Sequence, residues 1–193
     1  MSGVEHWKQR IREALSDRER KVVSREGLTP SAVLVPVYEN AGERFIVLTK
    51  RTQQVEHHKG QISFPGGTYE DGDRDLQATA LRETFEEIGV SGDDVEILGN
   101  LDDQWTSTNF AITPFVGAIP YPYEFAVSSW EVDTLIEAPV TALLDPANFD
   151  SETRDSEGAI HPYACYRYGG HQITGITAMI LQQLLDLVFR EGE

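Results

Sequence analysis

Residues 66–73 read GGTYEDGD, and residues 80–90 read ALRETFEEIGV. The second run has the spacing of a helix, and we predict one over residues 75–88 that ends at Gly89, a residue suited to a helix C-terminus. At about 100° per residue, one face of this helix is apolar. That face is expected to contain Ala78, Leu81, Phe85 and Ile88.

The opposite face is predicted to carry Glu83, Glu86 and Glu87, because residues three and four apart are neighbours on a helix. Such carboxylates repel one another, and a bound cation reverses that repulsion. Hard oxygen ligands on a rigid helix suit Mg²⁺ or Mn²⁺. Three glutamates alone are more typical of a solvated acidic face. Two neighbours favour the metal site: Arg82 can hold a carboxylate bidentately, and the Gly66-Gly67 turn has no Cβ to obstruct a metal or phosphate.

Residues 67–90 resemble the Nudix box, which reads glycine, five residues, glutamate, seven residues, then Arg-Glu-apolar-x-Glu-Glu-x-Gly-apolar. The second half matches from Arg82 to Val90, with Thr84 at a usually apolar position. In the first half Asp73 replaces the glutamate, and eight residues separate it from Arg82. The resemblance implies an α/β Nudix fold, a mixed sheet between helices. It also implies that Glu83 and Glu87 are metal ligands, with Glu86 helping.

Two upstream segments resemble the coenzyme A diphosphatase branch of this family. They are LTKRT at residues 48–52 and KGQISFPGG at residues 59–67. Glu56 stands where that branch often has an arginine. Later segments, EV at 131–132, AP at 138–139 and GITA at 175–178, are also similar to the branch. The resemblance implies cleavage of coenzyme A or its acyl derivatives at the diphosphate, and apolar residues near Phe110 could then face the pantetheine arm.

Basic residues that could meet a diphosphate cluster just before the glycine turn. Arg51 is the leading candidate because a guanidinium binds phosphate bidentately. The other substrate-binding candidates are Lys59, Gly66 and Gly67, with Lys50, His57 and His58 also in the cluster. Polar loops of this kind are common, so each histidine is equally well explained as a solvated side chain.

The predicted reaction is hydrolysis, in which a metal-polarised diphosphate is attacked by water and a carboxylate takes the proton. The candidate base is Glu86 or an acid from a later loop. Glu131 is preferred over Asp102 and Asp103 because its segment is similar to the branch, and it could equally be a surface glutamate. Arg82 completes the catalytic set by positioning a carboxylate.

Elsewhere the pattern alternates between helix and strand, so we expect one α/β domain over residues 1–193. A helix at 4–23 is expected to pack on it through Trp7, Ile11 and Leu15. Residues 32–38 and 44–49 predict a hairpin. Further strands are expected at 95–99, 112–119 and 163–168, and a closing helix at 177–189.

The net charge is −16, and there are only four lysines. The negative electrostatic field of such a chain repels nucleic acid polymers and anionic membranes. The scarcity of lysine beside this acidic charge suggests a halophilic protein adapted to high salt. No leader or membrane span is recognisable, and Cys165 is the single cysteine, so we expect a cytoplasmic protein in which Cys165 is a small buried residue. The oligomeric state stays open, with a homodimer as one option.

Other functions fit parts of the pattern. A related hydrolase could act on ADP-ribose, dinucleoside polyphosphates or damaged nucleoside triphosphates. A non-catalytic ligand-binding domain on this fold is disfavoured by the retained glutamates, and an isoprenoid diphosphate isomerase by the lack of a matching cysteine and glutamate pair.

Overall fold

The computed structural model describes residues 3–53, 60–156 and 159–190. The helices are α1 (Gly3–Ser16), α2 (Leu76–Ile88), α3 (Val140–Leu144) and α4 (Gly175–Leu184), which continues as a π-helical segment, Leu185–Arg190. The strands are β1 (Thr29–Asn40), β2 (Glu43–Arg51), β3 (Ile62–Ser63), β4 (Gly66–Thr68), β5 (Glu96–Asn100), β6 (Gln104–Trp105), β7 (Phe110–Ala118), β8 (Val132–Pro139), β9 (Phe149–Ser156), β10 (Ala159–Tyr168) and β11 (His171–Ile173).

A mixed sheet of eight strands is organised around β1. This strand pairs antiparallel with β2 and β4, and parallel with β7. Outside these, β3 and β8 pair with β2, while β5 and β6 pair with β7. A smaller antiparallel sheet has the order β11-β10-β9. The parallel β1–β7 pair requires a long crossover, and that crossover contains α2.

Helices cover both faces of the mixed sheet, which confirms the predicted fold class. Alternate residues of β1 point to opposite faces. Val35 and Val37 pack in a core cluster with Ile11 of α1 and Leu181 of α4. Ala32 and Leu34 pack on the other side with Ala80 of α2. The glutamates of α2 therefore lie near the start of β1, where β4 pairs with it.

The predicted hairpin is confirmed as β1 and β2, and the strands expected at 95–99, 112–119 and 163–168 correspond to β5, β7 and β10. Cys165 is a buried free thiol, as expected. The helix expected to reach residue 23 is shorter, because α1 ends at Ser16. Beyond it, the chain is held by long-range contacts: Lys21 N–H donates to Asp102 Oδ1 at 3.0 Å, and Val23 N–H donates to Asp103 Oδ2 at 3.1 Å.

The structure also contains elements that were not predicted: strands β3, β4, β6, β8, β9 and β11 and the short helix α3. The helix expected at 177–189 begins earlier, at Gly175, and its last turns are π-helical. Within residues 3–53, 60–156 and 159–190, no helix is both long and apolar enough to cross a membrane.

Candidate active site

Helix α2 is fixed at both ends by the residues predicted to end it. The Asp75 side chain accepts a hydrogen bond from the Ala78 N–H at 2.8 Å, which caps the N-terminus. At the other end Gly89 is left-handed, with φ of 73°, and its N–H donates to the Phe85 carbonyl. A Cβ at Gly89 would stand 2.6 Å from Ala126 Cβ, so only glycine fits there.

The predicted faces of α2 are wrong in one respect. Phe85, expected in the packed stripe, is 59% exposed, whereas Thr84 and Glu87 are buried against the sheet. The helix is rotated so that the face carrying Ala80, Thr84 and Glu87 meets β1 and β4. A buried carboxylate on that face is tolerated because a cation and a backbone donor reach it.

Glu87 is the most enclosed acid of the site, with 1% of its surface exposed. Its Oε1 lies 3.5 Å from Arg51 Nη1, and its carboxylate also accepts from the Gly66 N–H. Its Oε2 is buried and has no hydrogen-bond partner among the residues that the structure describes. Burial raises the pKa of Glu87 to about 8, with Arg51 opposing and the charges of Glu131 and Glu83 adding to the rise.

Glu83 lies one turn before Glu87 and faces Gly67. A Cβ on Gly67 would stand 2.6 Å from Glu83 Oε2 and closer to the other carboxylate atoms, so the missing side chain makes room for this acid. Burial raises the pKa of Glu83, and its hydrogen bond from Arg82 opposes that shift. Glu86 is more exposed, and its Oε2 lies 3.3 Å from Arg82 Nη1.

Arg82 connects these acids, as predicted, but its bidentate partner is Asp73. Arg82 Nε and Nη2 donate to the two Asp73 oxygens at 3.0 and 3.1 Å, and Nη1 donates to Glu83 at 2.8 Å. Asp73 also accepts from Thr79 Oγ1. Hydrogen bonds from Arg82 are the main reason that the pKa of Asp73 lies well below its usual range. The residue that replaces the usual glutamate therefore anchors the arginine.

The acids of α2 have the chemistry of a site for a hard divalent cation. Glu83, Glu86 and Glu87 offer carboxylate oxygens, and Glu87 Oε2 is a buried acceptor to which none of the described residues donates. The described part of the chain contains no three His, Cys, Asp or Glu side chains already gathered in metal-binding geometry. Instead, Arg82 engages Glu83 and Glu86, and Arg51 engages Glu87. The three glutamates fit a cation, which would compete with these arginines for the oxygens.

Glu131 lies beside the same acids, immediately before β8. Thr52 holds its segment, since the Thr52 N–H donates to the Glu131 carbonyl at 2.9 Å and Thr52 Oγ1 donates to the Trp130 carbonyl at 2.7 Å. Its charge is near enough to raise the pKa values of Glu83 and Glu87.

The two other candidate bases, Asp102 and Asp103, serve a structural purpose. Asp102 is paired with Arg18, and Asp103 accepts from Thr113 Oγ1 at 2.8 Å and lies 3.5 Å from Arg20. Together they hold the segment that follows α1. Neither is therefore retained as a candidate base.

Arg51 joins the acids to a cavity of about 720 Å³. Its guanidinium contacts Glu87, and its side chain lines the cavity together with Gly66 and Gly67. Lys50, in contrast, pairs with Asp133 at 2.9 Å and does not line the cavity. Lys59, together with Glu56, His57 and His58, lies outside the described residues.

Phe110, near which apolar residues were expected to face the pantetheine arm, lines the cavity, but much of the remaining wall was not predicted. Trp105 comes with Phe110 from the β6–β7 hairpin, and Ser31 from β1. A further wall consists of residues from β11 and the first turns of α4, including Ile176 and Met179. The sequence signal for this last part was the GITA segment at 175–178, whose similarity to the branch gave no spatial position.

Comparisons with known proteins identify the sequence pattern and the fold. The NUDIX domain family matches residues 28–152. A protein designated Nudix hydrolase NudL from Photorhabdus laumondii is 32% identical over 158 residues, which are 82% of this chain and 84% of that protein. A Nudix hydrolase NudL from Yersinia pestis is 34% identical over 82% of this chain and 79% of its own length. Among solved structures, the Nudix hydrolase RenU from M. smegmatis has a TM-score of 0.51 at 15% identity, covering 66% of this chain and 84% of that one.

Proposed function

The chain belongs to the Nudix hydrolase family, and on that premise we propose that it hydrolyses the diphosphate bond of coenzyme A and its acyl derivatives. The products are 3′,5′-ADP and 4′-phosphopantetheine or its acyl form. One observation carries the proposal: Arg51 contacts the buried Glu87 of α2 and also lines a cavity of about 720 Å³. A diphosphate bound to Arg51 would therefore lie beside the acids, with room for a bulky substituent.

Glu83, Glu86 and Glu87 would hold a Mg²⁺ or Mn²⁺ ion. When bound, such an ion polarises the diphosphate and makes an attacking water more acidic. The unpartnered Glu87 Oε2 and the space left by Gly67 support this assignment, because both leave carboxylate oxygens available to a ligand.

The protein's own side chains bind the diphosphate, hold the metal-binding acids in position and accept a proton from water. Arg51 binds diphosphate oxygens through charge-assisted hydrogen bonds. Arg82, fixed by Asp73, holds Glu83 in position. Glu86 or Glu131 accepts the proton of the attacking water at its carboxylate. Both lie close to Glu83 and Glu87, and the general base must lie within reach of that water.

The coenzyme A assignment depends on a joint sequence pattern. LTKRT at residues 48–52 contains Arg51, and KGQISFPGG at residues 59–67 ends in Gly66 and Gly67. Both segments meet at the junction of the acids and the cavity. ADP-ribose and dinucleoside polyphosphates are the alternative substrates for the same reaction. Glu56, whose charge could oppose the ribose 3′-phosphate of coenzyme A, is the feature that favours them.

A substrate panel tests the proposal. The enzyme with Mg²⁺ is assayed against coenzyme A, its dephospho form, ADP-ribose and a dinucleoside polyphosphate. We expect the highest kcat/KM for one of the two coenzyme A forms. If ADP-ribose or the polyphosphate exceeds both by about tenfold, the substrate assignment is wrong and only the reaction class stands.

A further inference from the structure

The inner floor of the cavity contains a buried hydroxyl without a partner. Ser31 lies on β1 directly opposite Ile112 of β7, and only 6% of its surface is exposed. Ser31 lines the cavity, and its Oγ has no hydrogen-bond partner within the described residues. A buried hydroxyl that makes no hydrogen bond costs free energy, and a ligand group that pairs with it recovers that cost.

The cavity wall is almost free of charge, although the chain has 16 basic and 32 acidic side chains. Of the described residues that line it, Arg51 alone is charged. Arg51 lies at the end that faces Glu87, so the rest of the described wall offers no cationic side chain to pair with a phosphate or carboxylate. Burial of an unpaired charge there would be costly. An uncharged part of the substrate is therefore favoured in this region.

Apolar groups bound the region from two directions. Trp105 and Phe110 approach from the β6–β7 hairpin, and Ile176 and Met179 from α4. The start of α4 is tied to the mixed sheet, because Thr177 Oγ1 donates to the Ile62 carbonyl at 3.1 Å. The α4 wall lies beyond the segment 28–152 that matches the NUDIX domain.

We infer that this region is the subsite for an uncharged arm of the substrate, a chain in which methylene segments alternate with amide groups, and that Ser31 hydrogen-bonds one amide. The inference rests on the proposed function, since Arg51 orients the diphosphate from which the arm extends. A purine base stacked on Trp105 or Phe110 is the alternative occupant, and tighter binding of adenosine than of pantetheine would indicate it. The volume lies in the range of about 300–1,000 Å³ that is usual for small-molecule pockets.

Direct binding without metal tests the subsite separately from catalysis. Calorimetry or NMR titration measures the affinity of the wild-type protein for pantetheine, pantothenol, pantothenate and adenosine. Pantothenol and pantothenate have nearly the same length, but only pantothenate ends in a carboxylate. We expect the two neutral chains to bind, and pantothenate to bind at least about tenfold more weakly than pantothenol.

Ser31→Ala removes the hydroxyl and breaks no hydrogen bond that the described residues make in the free protein. We expect its affinity for pantetheine to fall by about three- to tenfold, the effect of one neutral hydrogen bond, while its melting temperature is unchanged or higher. Thr113→Val is the matched control. Thr113 is a buried hydroxyl residue of β7 that does not line the cavity and donates to Asp103. This variant should melt at a lower temperature and bind pantetheine like the wild type.

Different results separate the inference from the proposed function. The wild type could hydrolyse coenzyme A but bind neither neutral chain, or bind adenosine more tightly than pantetheine. In either case the assignment of the subsite is wrong and the proposed hydrolysis stands. Pantetheine binding that is unchanged in Ser31→Ala overturns the role of Ser31. Pantetheine binding that weakens in Ser31→Ala, without hydrolysis of coenzyme A, supports the subsite and contradicts the proposed reaction.

Discussion

Gly67→Ala should abolish most of the activity while leaving the fold intact. Gly67 lies in β4, paired with Ala32 of β1, and the space where its Cβ would stand is taken by the Glu83 carboxylate. The alanine methyl would lie 2.6 Å from Glu83 Oε2, whereas ordinary contact begins at 3.4 Å. The carboxylate is the end of a flexible side chain, so it can retreat, and the backbone need not move.

The required retreat is about 0.8 Å or more, the difference between these two distances. It also disturbs the 2.8 Å hydrogen bond from Arg82 to Glu83. A misplacement of about 1 Å in a catalytic group can cost about 10²-fold in rate, so we expect kcat/KM to fall by about that factor. Stability should change by less than about 1 kcal/mol, because the lost ion pair is offset by the lower entropy of an unfolded chain with alanine.

The assay compares kcat/KM and thermal unfolding of the wild type, Gly67→Ala and Gly72→Ala. Gly72 is the matched control, because a Cβ there would meet no atom within 4 Å. Gly72→Ala should keep both activity and melting temperature. If Gly67→Ala retains wild-type kcat/KM, Glu83 does not need its present position, and our assignment of this residue to the site is refuted.

Three further predictions address the surroundings of the site. Asp73→Asn should lower the free energy of unfolding at pH 7 by about 2–4 kcal/mol, and equal stability at pH 7 would contradict this. Because the folded-state pKa of Asp73 is depressed, the unfolded chain takes up the proton first as the pH falls. The wild-type advantage should therefore shrink progressively below about pH 4 and disappear only below the folded-state pKa. Arg51→Ala should reduce kcat/KM for coenzyme A by the equivalent of about 1–3 kcal/mol, and an unchanged value would remove Arg51 from the substrate site. The acidic, lysine-poor composition predicts a melting temperature that rises between about 0.1 M and 2 M KCl, because the electrostatic screening length shortens to about 3 Å at 1 M. A melting temperature that stays flat or falls would argue against salt adaptation.

The sequence allowed the ends of α2 to be predicted because local residues determine them. Asp75 caps the first turn, and Gly89 takes the left-handed conformation that ends the last. The rotation of the helix could not be predicted in the same way. A polar residue such as Glu87 is assigned to solvent by periodicity, whereas its burial depends on Arg51, 36 positions earlier in the chain.

Contacts between residues distant in sequence also explain the other differences between the predicted and the observed structure. The charged segment after α1 looks helical, but Asp102 and Asp103 hold its backbone in a non-helical conformation from about 80 positions away. Arg82 was expected to brace the glutamates, and its bidentate pair with Asp73 depends on the shape of the loop before α2. The acids, Arg51 and the glycine turn were found because they lie in short motifs. Apart from Phe110, the cavity wall was missed because β1, the β6–β7 hairpin and α4 meet there only after folding.

Product analysis tests the central claim, metal-dependent cleavage of a diphosphate by the acids of α2, most directly. Wild-type protein and Glu87→Gln are incubated with coenzyme A and Mg²⁺, with and without excess chelator. The products are separated, then identified and quantified by mass spectrometry. We predict equal amounts of 3′,5′-ADP and 4′-phosphopantetheine from the wild type, none with chelator, and a rate lower by at least about 10²-fold in Glu87→Gln. The metal-free variant should melt at the wild-type temperature or above, because glutamine avoids the free-energy cost of burying an acid whose pKa is raised to about 8 by that burial. Undiminished product formation in chelator, or full activity in Glu87→Gln, would contradict the account.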